Sequence, residues 1–250
     1  MKFVEMSIDQ HVAKVVLSRG KANALNEALS DELRRCFEEL AADADVKAVV
    51  LSGKGNFFSF GLDIPEFLQY AKDDFIRFVT KFADLYTYIF VYPKPVIAAL
   101  NGHTVAGGCM LATACDYRVM VSGKARISLN EIKFGSSLFP GSVEMLKYCI
   151  GPRNAEIVAY TGAMYSAEKA KGLGLIDQVV SQKDLTESAA VAAQEFARRY
   201  SPAFESIKKL LRYGASEEMK RMDLRYRDEM VDIWYSEQTW KQLQHIKIHE

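Results

Sequence analysis

The chemistry this chain could do begins with two glycine-bearing turns. In Ser59-Phe60-Gly61-Leu62-Asp63-Ile64 and in Val105-Ala106-Gly107-Gly108-Cys109-Met110, glycine falls just before an apolar stretch that could start a helix. The first N–H groups of a helix have no carbonyl partner inside it. A turn at that place can aim them at an anion, or at an oxygen on which negative charge develops. Either segment alone is more commonly a plain turn. Neither is a G-x-x-x-x-G-K-[ST] loop or a G-x-G-x-x-G fingerprint, so nucleotide-phosphate binding of those kinds is not indicated. The groups that could move a proton nearby are Glu131, Asp116, Asp63, Glu144 and His103. Asp63 stands where it would cap the helix after Leu62, and His103 sits in the second glycine loop. Glu131, in Ser128-Leu129-Asn130-Glu131-Ile132, reads in isolation as a solvated loop carboxylate.

The four cysteines, Cys36, Cys109, Cys115 and Cys149, form no C-x-x-C pair. They read as buried thiols of a reducing compartment, with neither a disulfide framework nor a metal site expected.

The elements that must carry these groups follow from periodicity. FVEMSI and VAKVVLS read as a hairpin turning at Asp9-Gln10. Leu25, Leu29, Leu33, Phe37 and Leu40 line one helix face, with Asn23 or Asn26 as the cap. VKAVVLS is a buried strand, Gly53 to Gly61 a loop, and about Asp74 to Ile89 a helix ended by Pro93 and Pro95. VIAAL and Tyr117–Val121 are strand-like, NGHTVAGG is a turn, and Cys109 to Cys115 is helical. Ser166 to Lys171 is helical, GLGLIDQVV a turn and strand, and Asp184 to Tyr200 an amphipathic helix capped by Asp184. After Ser201-Pro202 no strand candidate remains. The expected organisation is an α/β core over residues 1–200 and a helical C-terminal oligomerisation region over 201–250. There Tyr226, Met230, Trp234 and Trp240 make an apolar side that calls for a partner.

At 250 residues and 49% apolar, the chain supports one large core with an appended element. Its 32 basic and 32 acidic residues balance, so no field favours nucleic acid or an anionic membrane. MKFVEMSID lacks a signal core and no stretch is apolar enough to span a bilayer, which makes the cytoplasm the expected location.

Several segments, taken together, resemble one family. FFSFGLDIPEF is similar to the F-S-A-G-L-D-L segment of the crotonase (enoyl-CoA hydratase/isomerase) superfamily. PKPVIAALNGHTVAGGCMLATACDYRV resembles its K-P-x-I-A-A-x-N-G-x-x-x-G-G-G-x-x-L-A-x-x-C-D segment, and LNEIKFG and GPRNAEIVAYTGAMYSAEKAKGLGLIDQVV continue in the family's order. The resemblance covers roughly residues 1–200. It implies a spiral of ββα units with a C-terminal helical trimerisation region, and an acyl-CoA thioester held as its enolate. By position, the backbone N–H groups of Leu62 and Gly107 would form the oxyanion hole, with Ala106 where many members have glycine. Phe60, Gly61, Asp63 and Ile64 would line the thioester slot. The loop Lys21-Ala22-Asn23-Ala24-Leu25 would set Ala22 and Ala24 against the pantetheine and Lys21 near the ADP phosphates, with Lys54 as a second lysine. Hydratases of the family use two glutamates. The first is replaced here by Met110 and the second is kept as Glu131, the pattern of the single-glutamate Δ3,Δ2-enoyl-CoA isomerases. Phe139 would wall the acyl pocket. The implied activity is a double-bond shift by Glu131 in a homotrimer or hexamer, with no cofactor beyond the substrate's own coenzyme A. Hydration, decarboxylation and non-catalytic acyl-CoA binding are the alternatives.

Overall fold

The computed structural model of the chain describes residues 1–248. β1 (Val4–Asp9) and β2 (Val12–Leu17) form the antiparallel hairpin, with Met6 opposite Val15. Its turn is Gln10-His11, at φ 46° and 65°, a backbone whose twist suits a two-residue hairpin. α1 (Glu27–Ala42) follows, capped by Asn26, whose side chain accepts from the Leu29 N–H at 3.0 Å. Asn23 serves the loop instead, donating to the carbonyls of Lys54 and Phe57.

Each later pass sends its first strand to a large sheet and its second to a small one. β3 (Ala48–Gly53) and β4 (Phe57–Ser59) precede α2 (Ile64–Phe67) and α3 (Lys72–Phe90). β5 (Val96–Leu100) and β6 (His103–Val105) precede α4 (Gly107–Ala114), and β7 (Tyr117–Val121) and β8 (Ile127–Ser128) precede α5 (Pro140–Thr161). α5 breaks at Gly151, whose φ of 75° leaves the helix before Pro152. α6 (Ala167–Leu173), β9 (Gln178–Val180) and α7 (Leu185–Ala197) complete the core. The large sheet runs β1-β2-β3-β5-β7-β9, parallel from β2 onward, and the small one runs β4-β6-β8, also parallel. Strands covered on both faces read as unbroken apolar runs, and VIAAL is buried throughout. Asp184 stands at the cap of α7, but its carboxylate accepts from the Ser181 hydroxyl rather than from the helix backbone.

Two segments expected as loop and turn, 53–61 and 101–108, contain β4 and β6. Strands of three residues are too short to show an alternating pattern, and they form because each pairs with its neighbour in the small sheet. The C-terminal part also departs from expectation. α8 (Ser201–Trp234) lies across α3 and α5, and α9 (Glu237–Leu243) folds back after it. Met230 and Trp234 are buried against the chain's own core, Trp234 stacking on Phe75 at 4.6 Å, and Trp240 stacks on Tyr235 at 5.2 Å. Of that apolar side, Met230 and Trp234 are thus covered within one chain, while Tyr226 and Trp240 are half-buried. The large apolar side chains left exposed on α8 are Ile207, Leu210, Leu211, Tyr213 and Leu224.

Asp116 pins α8 to the sheet. Its carboxylate accepts from the Val96 N–H and from Lys208 at 2.7 Å and lies 3.2 Å from Arg212, and all three partners are buried. Arg212 also donates to the carbonyls of Phe90 and Ala114, the last residues of α3 and α4. A cation there satisfies orphan carbonyls at the negative ends of two helix dipoles.

Candidate active site

The loop 22–25 and the turn 60–63 lie side by side. Phe60 N–H donates to Ala22 O at 2.9 Å, Leu25 N–H to Gly61 O at 2.7 Å, and Asp63 N–H to Leu25 O at 2.8 Å. In such a parallel bridge the Leu62 N–H points away from the partner strand, and it has no acceptor among the described residues. Gly107 opens α4 after Ala106, which offers no capping side chain, so the Gly107 N–H is likewise free among the described residues. The two turns abut: a Cβ on Gly61, at φ +99°, would lie 2.8 Å from Ala106 Cβ and 3.3 Å from Gly107 N. Ala106 itself is held at φ 49° and ψ −120°, where a side chain is strained by ~1–3 kcal/mol. Two unsatisfied donors in adjacent turns suit a developing oxyanion.

Leu62 and Ala106 line a cavity of about 310 Å³ together with Phe60, Ile64, Glu131 and Phe139. Glu131 opens a short 3₁₀ turn, Glu131–Phe134, directly after β8. Both oxygens of its carboxylate are buried without a hydrogen-bond partner among the described residues, and burial pushes its pKa up to about 8. Desolvation is the main cause. Asn130 Oδ1 beside it is also unpartnered. No other carboxylate lines this cavity among the described residues.

A second cavity, of about 510 Å³, is lined by Lys21, Ala22, Lys54, Asn56 and Lys247. Phe60 borders both cavities. Lys54 carries an exposed ion pair with Glu5 at 2.7 Å, weak enough in water to be exchanged for another anion. The sequence reading missed Lys247, and it missed His245, Ile246, Met230 and Trp234, which close the Glu131 cavity from the C-terminal side. Met230 and Trp234 were visible as apolar residues in need of cover. That this cover lay beside Glu131 depends on the path of α8, which no local pattern encodes.

Several named residues are placed elsewhere. Asp63 caps α2 through Glu66 N and binds Arg19 at 2.6 Å, so its carboxylate is occupied away from the cavity. Ala24 is buried and its carbonyl accepts from Arg19. Gly61 acts through its backbone, as above. Met110, in the first turn of α4, is 1% exposed in the core and is not among the residues lining the cavity. His103 packs on Phe57 with its pKa lowered by burial and by Arg126, and Glu144 pairs with Lys147.

The sequence profile described as Enoyl-CoA hydratase/isomerase matches residues 7–244. The chain is 34% identical over 222 residues to the human mitochondrial Delta(3,5)-Delta(2,4)-dienoyl-CoA isomerase, covering 83% of this chain and 67% of that protein. It is 33% identical over 205 residues to a putative enoyl-CoA hydratase of Thermus thermophilus, 80% of each chain. Among solved structures, human mitochondrial delta3-delta2-enoyl-CoA isomerase superposes with a TM-score of 0.92 over 97% of this chain and 95% of that one, at 24% identity, a likeness of fold. Fold, motif order and sequence likeness agree, and the chain belongs to the enoyl-CoA hydratase/isomerase family.

Proposed function

We propose that this chain moves the double bond of an enoyl-CoA from the 3- to the 2-position, with Glu131 as its one acid–base group. The observation that carries the reading is the lone buried carboxylate facing an otherwise largely apolar cavity. Ionised Glu131 takes a proton from C2, and the electron pair moves to the thioester oxygen to give a dienolate. The Leu62 and Gly107 N–H groups donate to that oxygen as its charge grows. Protonated Glu131 then returns the proton to C4, the pair forms the C2–C3 double bond, and the thioester carbonyl is restored. Burial makes Glu131 a stronger base than a solvated carboxylate, closer in pKa to the working pH. Water is neither consumed nor released, so no second carboxylate is needed. Lys21, Lys54 and Lys247 meet the phosphates of coenzyme A, Ala22 lies against the pantetheine, and no further cofactor is required. Leu210, Leu211 and Leu224 of α8 supply the contact for a homotrimer, or for the trimers of a hexamer.

The likeness to a dienoyl-CoA isomerase favours a second substrate, a 3,5-dienoyl-CoA, in which the same proton shift runs over one more double bond. The test is a panel of 3-enoyl-, 3,5-dienoyl- and 2-enoyl-CoA esters, with products read by mass and double-bond position. Fast isomerisation with slow hydration is expected. A fast hydratase would remove the one-glutamate mechanism, because another group would have to hold the water.

A further inference from the structure

α5 begins without a cap of its own. Phe139 stands at the cap position with no side-chain hydrogen bond, and Pro140 and Gly141 follow. The missing acceptor comes from α8: Gly141 N–H donates to Asp223 at 2.7 Å. The same carboxylate accepts from the Tyr86 hydroxyl of α3 at 2.9 and 3.2 Å. A Cβ at Gly141 would lie 2.3 Å from Asp223 Oδ2 and 2.8 Å from the backbone oxygen of Met219, so the approach requires glycine. Phe139 lines the cavity that holds Glu131, and its ring meets the edges of Phe82 and Tyr86 at 5.4 and 6.4 Å. Asp223 therefore reaches Phe139 by two routes, through the backbone at Gly141 and through the ring of Tyr86. Burial pushes the Asp223 pKa up to about 6, a cost the fold bears at a carboxylate the proton shift does not use.

We propose that Asp223 is a positioning residue that, through Tyr86 and the Gly141 N–H, fixes Phe139 as a wall of the acyl cavity and so sets which acyl chains the enzyme accepts. This rests on the acyl-CoA reading of that cavity given above. With the carboxylate removed, the start of α5 loses its acceptor and Tyr86 its partner, and the wall yields to longer chains while gripping short ones less well.

The experiment is calorimetric titration of the full-length protein with saturated acyl-CoAs of increasing length, for wild type, Asp223→Ala, Asp223→Asn and Tyr86→Phe. Asn keeps an acceptor for Gly141 and offers a donor to the Tyr86 oxygen, so it should keep the wild-type length profile. Asp223→Ala should shift the ratio of short-chain to long-chain affinity by about tenfold, and Tyr86→Phe, with one route left, by less. A purely structural role would lower the melting temperature and weaken every length alike, and that result overturns the proposal. Should the alanine variant not fold, an unchanged profile in Tyr86→Phe overturns it equally. Wild-type turnover of 3-enoyl-CoA tests the functional reading separately: absent turnover with a shifted length profile would sink that reading and leave this one standing.

Discussion

A carboxylate kept in a largely apolar cavity with no hydrogen-bond partner among the described residues is an expensive arrangement, and Glu131 shows its cost in two measurable ways. Its folded pKa of about 8 lies above the ordinary 4.5, so as the proposed base it would work in the form that burial disfavours. The expected kcat/KM for 3-enoyl-CoA rises with pH and levels off above about 8, and Glu131→Gln removes that rise together with at least ~10² in rate. A flat profile through this range would place the base elsewhere. Linkage gives the second consequence. Between pH 4.5 and about 8 the unfolded chain has released this proton and the folded one has not, so stability falls as pH rises through that window. Glu131→Gln should therefore be the more stable protein at pH 8, by on the order of a few kcal/mol, with the gap closing below pH 4.5. Denaturant melts at both pH values check the sign. The sequence pointed to Glu131 through the L-N-E segment, but its environment was hidden, because Phe60, Phe139 and Trp234 that surround the cavity lie far apart along the chain.

At the level of elements, the long helices and buried strands were legible because each carries several periods of its own pattern. The small sheet was not, since β8 has two residues and β4 and β6 three each. Yet those strands set the two free N–H groups in place. Gly108 shows how tight that placement is: a Cβ there would meet Ser59 O at 2.6 Å, so α4 starts directly against the end of β4. Gly61→Ala should cost ~10²–10³ in kcat, the scale of losing one oxyanion donor, because its methyl crowds Gly107 N. Ala106→Gly should act in the opposite sense on stability. It exchanges ~1–3 kcal/mol of strain at positive φ for the ~0.4–1 kcal/mol that a glycine adds to unfolded-chain entropy. A gain of about 1 kcal/mol in a urea melt is the expected outcome, and a loss would mean that Ala106 is unstrained. Met110→Glu would bury a carboxylate in the core rather than add one to the cavity. Its expected effect is a fall in melting temperature with hydration of 2-enoyl-CoA no faster than in wild type.

Over the whole molecule, the break in composition at Ser201 coincides with the start of α8, but the helix is not a detachable appendage. A chain ending at Tyr200 would lose Trp234 from its stack on Phe75, take Lys208 and Arg212 away from Asp116, and open the Glu131 cavity. Uncovering the apolar core that α8 packs on leaves a large exposed apolar patch, so this truncation should aggregate and lose activity. An active monomer of residues 1–200 in sedimentation would contradict the dependence. The position of Phe60 between the two cavities has a consequence for competition. On the reading proposed above, an acyl-CoA would set its nucleotide in one chamber and its acyl chain in the other, so its second contact would form at high effective concentration. Free coenzyme A and a free fatty acid each have only one half of that avidity. With both chambers open, the intact thioester should therefore outcompete an excess of its own cleavage products, and filling either chamber should take that advantage away.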